Sequence, residues 1–368
     1  MILGVPKETV PGERRVALAP DLLPKLLKAG LQVLVEPGAG QAAGFLDAAY
    51  AEKGARLAPD VFEQSDILLK VQPPGAEEIA RMKPGCHLIG LLRPYDNGDA
   101  IRALAARPVT AFAMEWMPRL SRAQSMDALS AMSTIAGYKA VLLAANQLPK
   151  FFPMLMTAAG TVTAARVFVV GAGVAGLQAI GTAKRLGAVV EAYDTRPAVK
   201  EQVESLGARF AELELETAGA EAASGYARAQ SEEFYQKQQR IMTRYVTAAD
   251  AVITTALVPG QRAPVLITEE MVRAMRPGSV IVDLAAEQGG NCALTEAGRD
   301  VVCDGVVILG PVNLPSTVPL HASQMYSRTV TNYLAHLLRN GALHLDLDDE
   351  LTSGPLVTYQ GEVRRRPG

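Results

Sequence analysis

The residues best suited to chemistry form a glycine-rich turn near the middle of the chain. A strand-like segment, Arg166–Val170, is followed by Gly171, Gly173 and Gly176 in the spacing Gly-x-Gly-x-x-Gly, and then by a helical pattern that Gly187 ends. In such a turn the first glycine permits a sharp reversal, the second admits a pyrophosphate, and the third lets the helix pack against the strand. The helix N-terminus adds partial positive charge. The segment therefore predicts a dinucleotide site.

An acidic residue stands where such a site recognises the adenosine ribose. Asp194 ends the next predicted strand, 18 residues after Gly176. A carboxylate there accepts hydrogen bonds from the ribose hydroxyls and repels a 2'-phosphate, which favours NAD(H) over NADP(H). Arg196 weakens this preference, because an arginine near that place can accommodate a 2'-phosphate. A structural alternative is that Asp194 caps the helix after Pro197.

Longer motifs resemble one protein family over essentially the whole chain. The opening segments Gly4–Glu8 and Gly12–Leu18 resemble the alanine dehydrogenase and transhydrogenase superfamily. The segments that resemble the soluble, NAD-binding alpha subunit of proton-translocating NAD(P) transhydrogenases are Arg119–Ser130, Tyr193–Pro197, Ile253–Gly260 and Asp283–Asn291. The resemblance implies a subunit that positions NADH for direct hydride transfer to NADP+ on a partner subunit, coupled to proton movement across a membrane.

The resemblance also implies roles for individual residues. The catalytic set expected to hold the nicotinamide is Arg119, Gln124, Asp127 and Ser130. The other cofactor-binding residues are Gly171, Ala172, Gly173, Val174, Gly176, Asp194, Thr195, Arg196, Tyr226, Thr255, Ala256, Leu257 and Glu287. A spacing of three puts Gln124, Asp127 and Ser130 on one face of a helix or helix-like loop, where they could bond a carboxamide. The residues alone fit a helix start with capping side chains equally well.

Residues 214–230 predict a long surface loop, because they have no sustained apolar period. The resemblance implies a mobile loop that folds over bound nucleotide through Tyr226. The alternative is an inert insertion with an exposed tyrosine.

An amino-acid dehydrogenase of the alanine dehydrogenase type is the rival enzyme, and a regulatory subunit that binds nucleotide without chemistry is a third hypothesis. The rival needs an acid-base group, usually histidine, beside a cationic carboxylate clamp. Arg15 and Lys70 match the clamp, but Arg93 stands where that branch has its histidine and Glu287 where it has an aspartate. An arginine cannot release its proton near neutral pH. Arg15 and Lys70 are alternatively a retained structural ion-pair set.

Composition limits the partners and cofactors. The chain has 36 basic and 38 acidic residues, spread without a basic surface for nucleic acid. Its three cysteines lack metal-ligand spacing, so we expect no metal site. The start lacks a signal peptide, and the most apolar region, residues 140–163, is interrupted by polar residues, prolines and glycines.

These features, with the resemblance, predict a cytoplasmic protein held at the inner face of the cell membrane by its partners. The implied partners are membrane-embedded alpha-2 and beta subunits, which include the domain that binds NADP(H). The implied state of the chain itself is a homodimer.

The apolar pattern predicts an α/β fold with two Rossmann-like, doubly wound domains joined by long helices. One domain is assigned to residues 1–125 plus 315–368, and the NAD(H)-binding domain to residues 126–314. The joining helices are expected at residues 125–148 and 324–339.

Overall fold

The computed structural model describes residues 1–212, 232–258 and 260–364. The chain forms two compact units. The first unit comprises Met1–Met132 and Pro315–Gly368, and the second comprises Ser133–Leu314. The first unit is therefore built from both ends of the sequence, with the second unit inserted between them.

The strands of the described residues are numbered in chain order. They are β1 (Ile2–Val5), β2 (Gln32–Val35), β3 (Arg56–Leu57), β4 (Ile67–Leu69), β5 (His87–Gly90), β6 (Thr110–Ala113), β7 (Leu155–Thr157), β8 (Gly160–Val162), β9 (Arg166–Val170), β10 (Val189–Tyr193), β11 (Arg209–Phe210), β12 (Ala251–Thr254), β13 (Val280–Asp283), β14 (Asp300–Cys303), β15 (Val306–Leu309), β16 (Leu338–Arg339), β17 (Ala342–Leu343), β18 (Leu356–Tyr359) and β19 (Glu362–Val363).

The α-helices are numbered in the same way. They are α1 (Leu23–Lys28), α2 (Asp47–Glu52), α3 (Val61–Gln64), α4 (Ala76–Arg81), α5 (Gly98–Ala106), α6 (Ala128–Gln147), α7 (Val174–Arg185), α8 (Lys200–Ser205), α9 (Glu232–Ala248), α10 (Glu269–Arg273), α11 (Pro319–Leu337) and α12 (Glu350–Ser353).

The sheet of the first unit has the order β3-β2-β1-β4-β5-β6-β18-β19. Strands β1 to β6 are parallel, and β18 joins the edge of β6 in the antiparallel sense. The central strands β4 and β6 are buried along their whole length. Such continuous burial is expected of parallel strands that have helices on both faces of the sheet.

The sheet of the second unit has the order β11-β10-β9-β12-β13-β15-β14, with only β14 antiparallel to its neighbour among the described strands. In both sheets the chain starts at an inner strand, builds outward to one edge and then crosses to the other side. Ligands of doubly wound sheets bind at this crossing, beyond the carboxyl ends of the strands. In the second unit the crossing lies between β9 and β12, where the glycine-rich turn begins. The prediction of two doubly wound, Rossmann-like domains is confirmed.

The long helix α6 begins at Ala128 and connects the two units. By length and composition it could cross a membrane, and 39% of its most apolar window is buried. Core helices of soluble proteins meet the same criterion, and its residues Ala140, Val141 and Ala144 belong to the core of the second unit. The most apolar region of the sequence, residues 140–163, overlaps only the end of this helix. The expected second helix, α11, starts at Pro319, five residues earlier than predicted.

Candidate functional site

The glycine turn joins β9 to α7, and each of its three glycines meets a different physical demand. Gly171 adopts a φ of +96°, and its N–H donates to the Tyr193 carbonyl over 2.8 Å. A Cβ on Gly176 would lie 1.8 Å from the Gly171 carbonyl oxygen, so only glycine lets the helix approach the turn. Among the described residues, a Cβ on Gly173 would meet only the Arg196 guanidinium, at 4.0 Å. Gly173 therefore leaves space beside the turn, as a bound pyrophosphate requires.

The first turn of α7 is suited to receive an anion. Its N-cap is Gly173, no side chain caps it, and it contains no acidic residue. The N–H groups at a helix start have no partner within the helix, and the helix dipole favours negative charge there. Val174 begins this turn, so the backbone fits the phosphate groups of a dinucleotide.

Asp194 is bonded to the glycine turn itself. Its Oδ2 accepts from the Ala172 N–H over 2.8 Å, and its Oδ1 accepts from the Arg196 N–H over 2.9 Å. The Arg196 side chain adds two bonds, Nε to Oδ1 and Nη2 to Oδ2, both 2.9 Å. The short helix after Pro197 has no side-chain cap. The capping alternative for Asp194 is therefore wrong, and Arg196 pairs with this carboxylate.

Thr255 ties the loop after β12 to the glycine turn. Its N–H donates to the Val170 carbonyl over 2.8 Å, and its hydroxyl donates to the Gly171 carbonyl over 3.1 Å. The next residue, Ala256, has its N–H bonded to Oδ1 of Asn291 over 2.9 Å. Thr255, Ala256 and Leu257 are half-buried at the carboxyl end of β12.

A buried network, to which the sequence analysis assigned no site role, holds this loop. The Asn291 amide also donates to the carbonyls of Ala256 and Pro264, over 2.8 and 2.9 Å. Oδ2 of Asp283 accepts from the Asn291 N–H over 2.7 Å, and Oδ1 accepts from the Thr254 hydroxyl over 2.9 Å. Both side chains are fully buried. Asp283 and Asn291 lie in a motif that carried the resemblance, and that was the only signal in the sequence.

The remaining cofactor-binding candidates differ in how the structure places them. Thr195 is half-buried beside Asp194. Glu287 lies in a short helical turn after β13, and its Oε1 accepts from the Asn313 N–H over 2.7 Å. Tyr226 lies outside the described residues. Within the described ranges, no group of three or more histidine, cysteine, aspartate or glutamate side chains could hold a metal ion.

The four residues expected at the nicotinamide lie in the first unit. Gln124 sits in the 3-10 helix Ser121–Met126 rather than in a regular α-helix, and it is exposed, as is Arg119. Asp127 leaves that helix with a φ of −77° and a ψ of 92°. The expectation that Gln124, Asp127 and Ser130 share one helical face is therefore wrong, because extended backbone interrupts the helix between them.

Asp127 starts α6 as a capping residue. Its Oδ1 accepts from the Ser130 N–H over 2.8 Å, and its Oδ2 accepts from the Ser130 hydroxyl over 2.6 Å. These bonds satisfy an N–H group that the helix leaves unpaired. Capping also fixes the orientation of the carboxylate and hydroxyl at the surface. The cap is compatible with a ligand role, since a carboxylate can accept about four hydrogen bonds.

Arg15 and Lys70, the possible substrate clamp of a dehydrogenase, are engaged by carboxylates of the same unit. Arg15 donates from Nε and Nη2 to the two oxygens of Glu13, over 2.8 and 2.6 Å. Burial alone would raise the pKa of Glu13, but the hydrogen bonds and the charge of Arg15, together with a hydrogen bond from Gln72, outweigh burial and lower the pKa to about 2. Lys70 lies 3.0 Å from Glu78 and 3.4 Å from Glu8. These are the structural ion pairs that the sequence analysis gave as the alternative.

Arg93, at the place of the dehydrogenase histidine, is exposed and adopts a φ of 51°. Its N–H donates to Oε1 of Glu115 over 2.7 Å. Burial raises the pKa of Glu115, while the Arg93 N–H partly counteracts it. The histidine nearest to Arg93 in sequence, His87, lies at the start of β5, away from its carboxyl end.

The doubly wound sheet, the glycine turn and the carboxylate of Asp194 bonded to that turn are the features of a dinucleotide-binding protein of the Rossmann type. The alanine dehydrogenase/PNT N-terminal domain model matches residues 4–136, and the C-terminal domain model matches residues 140–366. The chain belongs to the alanine dehydrogenase/PNT family, which consists of oxidoreductases and implies binding of NAD(H).

Transhydrogenase alpha subunits are among the most similar relatives. The first part of the NAD(P) transhydrogenase alpha subunit of Rhodospirillum rubrum is 49% identical, covering 99% of this chain and 97% of its own. Alanine dehydrogenase of Bacillus subtilis is 30% identical, covering 99% and 92%. The crystal structure of transhydrogenase from Sinorhizobium meliloti has a TM-score of 0.87 at 42% identity, covering 99% and 98%. An L-alanine dehydrogenase structure has a TM-score of 0.82 at 27% identity, covering 99% and 96%. The resemblance recognised from the motifs is confirmed.

Proposed function

We propose that this chain is the NAD(H)-binding subunit of a proton-translocating NAD(P) transhydrogenase. It would hold NADH for direct hydride transfer to NADP+ on a partner subunit, coupled to proton movement across a membrane. One observation carries the proposal: Gly173 and the uncapped start of α7 leave an anion-binding space beside Asp194. Membership of the alanine dehydrogenase/PNT family, which implies NAD(H) binding, supports a nicotinamide dinucleotide as the ligand of that space.

The second unit, residues 133–314, is proposed as the NAD(H)-binding domain. The N–H groups of α7 would bind the pyrophosphate, and Asp194 would bind the adenosine ribose. Thr255, Ala256, Leu257 and Glu287 are proposed contacts beyond β12 and β13. On the resemblance alone, the residues proposed to hold the nicotinamide are Arg119, Gln124, Asp127 and Ser130. Tyr226 is kept as the contact from the loop over the nucleotide.

Positioning accounts for the chemistry that this chain must contribute. Bound NADH supplies a hydride from its nicotinamide ring. Neither ring exchanges a proton in that step, so the protein needs no acid-base group, and orientation of the two rings dominates catalysis. The engagement of Arg15 by Glu13 and the arginine at position 93 also support this function over an amino-acid dehydrogenase.

An exposed hairpin supports the proposal that the chain is a homodimer. Among the described strands, β7 and β8 pair only with each other. Met154, just before β7, is 59% exposed, and Met156, within β7, is 76% exposed. Exposed apolar side chains are unfavourable in water, and unpaired strand edges can pair with another chain. A second copy is the proposed occupant. The further partners are membrane-embedded alpha-2 and beta subunits, which would hold this chain at the cytoplasmic face and bind NADP(H).

Reconstitution tests this function. The purified chain is mixed with a separately folded NADP-binding domain, and stereospecific hydride exchange between NADH and an NADP analogue is followed. We expect exchange only when both components are present. L-alanine with NAD+ is the control reaction, and steady turnover of it by the chain alone would establish the dehydrogenase instead. NADH binding without exchange with any partner domain would favour the regulatory subunit.

A further inference from the structure

The carboxylate of Asp194 has no acceptor position left for a ligand. It receives four hydrogen bonds, two on each oxygen, from the Ala172 N–H, the Arg196 N–H and the Arg196 side chain. A carboxylate offers about four acceptor positions. Asp194 is also 8% exposed, so water cannot take the place of a lost partner easily. A ribose can bind this side chain only if one of the present donors leaves.

The four donors differ in their freedom to leave. Two are backbone N–H groups, of which Ala172 belongs to the glycine turn, and they cannot move without rebuilding the site. The other two are Nε and Nη2 of the Arg196 side chain, which reaches back two residues. That side chain is 13% exposed and can rotate about its own bonds. The two hydroxyls of a ribose would replace two guanidinium N–H donors, so the count of hydrogen bonds is preserved.

The guanidinium also borders the space that a dinucleotide needs. Apart from the residues next to Gly173 in the chain, Nη2 of Arg196 is the only described atom within 4 Å of a Cβ placed on Gly173. Gly173 is the glycine beside which the pyrophosphate is expected. The ion pair therefore covers the ribose carboxylate and borders the phosphate space at the same time.

We propose that Arg196 is an internal occupant of the adenosine-ribose subsite, and that NAD(H) binds by displacing its guanidinium from Asp194. This inference rests on the proposed function. The pair also sets nucleotide choice. While Arg196 neutralises Asp194, the carboxylate repels a 2'-phosphate less than a bare carboxylate would. Arg196 thus lowers the affinity for NADH and weakens the discrimination against NADPH.

Calorimetric titration of Arg196→Ala with NADH and with NADPH tests the proposal, because it predicts whether the affinity for each nucleotide rises or falls relative to the wild type. We expect NADH to bind about tenfold more tightly than to the wild type, because two charge-assisted bonds no longer have to be broken. NADPH should bind more weakly. Arg196→Lys keeps the charge but loses the bidentate contact with Asp194. Its NADH affinity should therefore lie between those of the wild type and Arg196→Ala.

The matched control is Arg166→Ala. Arg166 also pairs with a carboxylate of this sheet, Glu191 over 3.1 Å, but it lies at the opposite end of β9 from the glycine turn. The Arg166→Ala variant measures how the loss of one positive charge changes the affinity for an anionic ligand. Thermal unfolding of each variant without nucleotide shows whether the fold is kept, and the lysine variant serves if alanine unfolds the unit.

Weaker binding of both nucleotides to Arg196→Ala, beyond the change in Arg166→Ala, would make Arg196 a phosphate ligand and overturn the proposal. Unchanged binding of both would also overturn it. Wild-type affinity for NADH is measured in the same experiment. If the wild type binds no NADH, the proposed function fails. If the wild type binds NADH but Arg196→Ala binds it no more tightly, only the proposed displacement of Arg196 fails.

Discussion

The hydroxyl of Thr255 donates to the carbonyl oxygen of Gly171 over 3.1 Å, although the two residues are 84 positions apart. The same carbonyl oxygen is the atom that excludes a side chain at Gly176. One hydrogen bond therefore connects the loop after β12 to the most crowded point of the glycine turn, so the shape of the turn depends on both segments.

Replacing Thr255 by valine removes this bond and keeps the side-chain shape. We expect the free energy of unfolding to fall by about 1 kcal/mol, the usual net value of such a bond. NADH affinity should fall as well, because the turn loses one of its supports. Urea unfolding and NADH titration measure the two effects. Thr255→Ser retains the hydroxyl and serves as the control; an equal loss in serine and valine would assign the effect to packing of the methyl group.

Alanine at Gly173 and at Gly176 should separate ligand binding from stability. At Gly176 the new Cβ meets the Gly171 carbonyl, so unfolding should become easier by about 3 kcal/mol, as in overpacked cores. At Gly173 the Cβ meets no described protein atom closer than 4.0 Å. The free energy of unfolding of Gly173→Ala should fall by about 1 kcal/mol or less. Its NADH affinity should fall at least tenfold, because the added methyl group keeps the pyrophosphate away from the backbone of the turn.

Thermal unfolding without nucleotide and NADH titration distinguish the two variants. Equal destabilisation in both would mean that Gly173 also serves packing. Full NADH affinity in Gly173→Ala would contradict the placement of the pyrophosphate.

Asparagine at position 127 should impair hydride transfer far more than NADH binding. Asparagine caps helices about as well as aspartate, so α6 should still start at Ala128. The orientation of the ligand-facing group changes, and a displacement of about 1 Å at a reacting centre can cost about 10²-fold in rate. Single-turnover exchange with the NADP-binding domain is compared with NADH titration, and Gln124→Asn is tested beside it. A parallel fall in rate and affinity would assign these residues to general binding.

Neutralising Glu13 should change stability in a pH-dependent way. Its pKa in the folded protein, about 2, lies below the ordinary value of 4.5. The stabilisation from the Arg15 pair is therefore fully present above pH 4.5 and is lost as the pH falls through about 2. Glu13→Gln should lower the free energy of unfolding by about 3 kcal/mol at pH 7, because it leaves Arg15 buried without its counter-charge. The difference from wild type should shrink as the solution becomes acidic.

Denaturant unfolding at several pH values between about 2 and 7 measures this effect. Glu63→Gln is the control, since Glu63 pairs with Arg81 at the surface of the same unit. Exposed ion pairs contribute about 1 kcal/mol or less to the free energy of unfolding. A Glu13→Gln deficit that stays constant with pH would refute the proposed cause.

The glycine turn was predictable from the sequence because its constraints are local. A strand, three spaced glycines and a helix fix both the positive φ of Gly171 and the close approach at Gly176. The Asn291 network was not assigned a site role, because its amide bonds Ala256 across 35 residues and a strand pairing that no local pattern displays. Spacing also misled at Asp127, since a period of three cannot show where one helix stops and another starts. The two-residue strand β3 is exposed and lacked an apolar signal.

The insertion of one unit into the other has a consequence for synthesis on the ribosome. The hydroxyl of Thr358 bonds the Ala111 N–H across 247 residues, as β18 completes the edge of β6. At about 5 to 20 residues per second, roughly ten to fifty seconds pass between the emergence of these strands. The inserted unit can fold first, while the edge of β6 that pairs with β18 remains unpaired. We therefore expect the edge of β6 to stay unpaired for longer than any strand edge of the inserted sheet, whose partners all lie within one continuous stretch of chain.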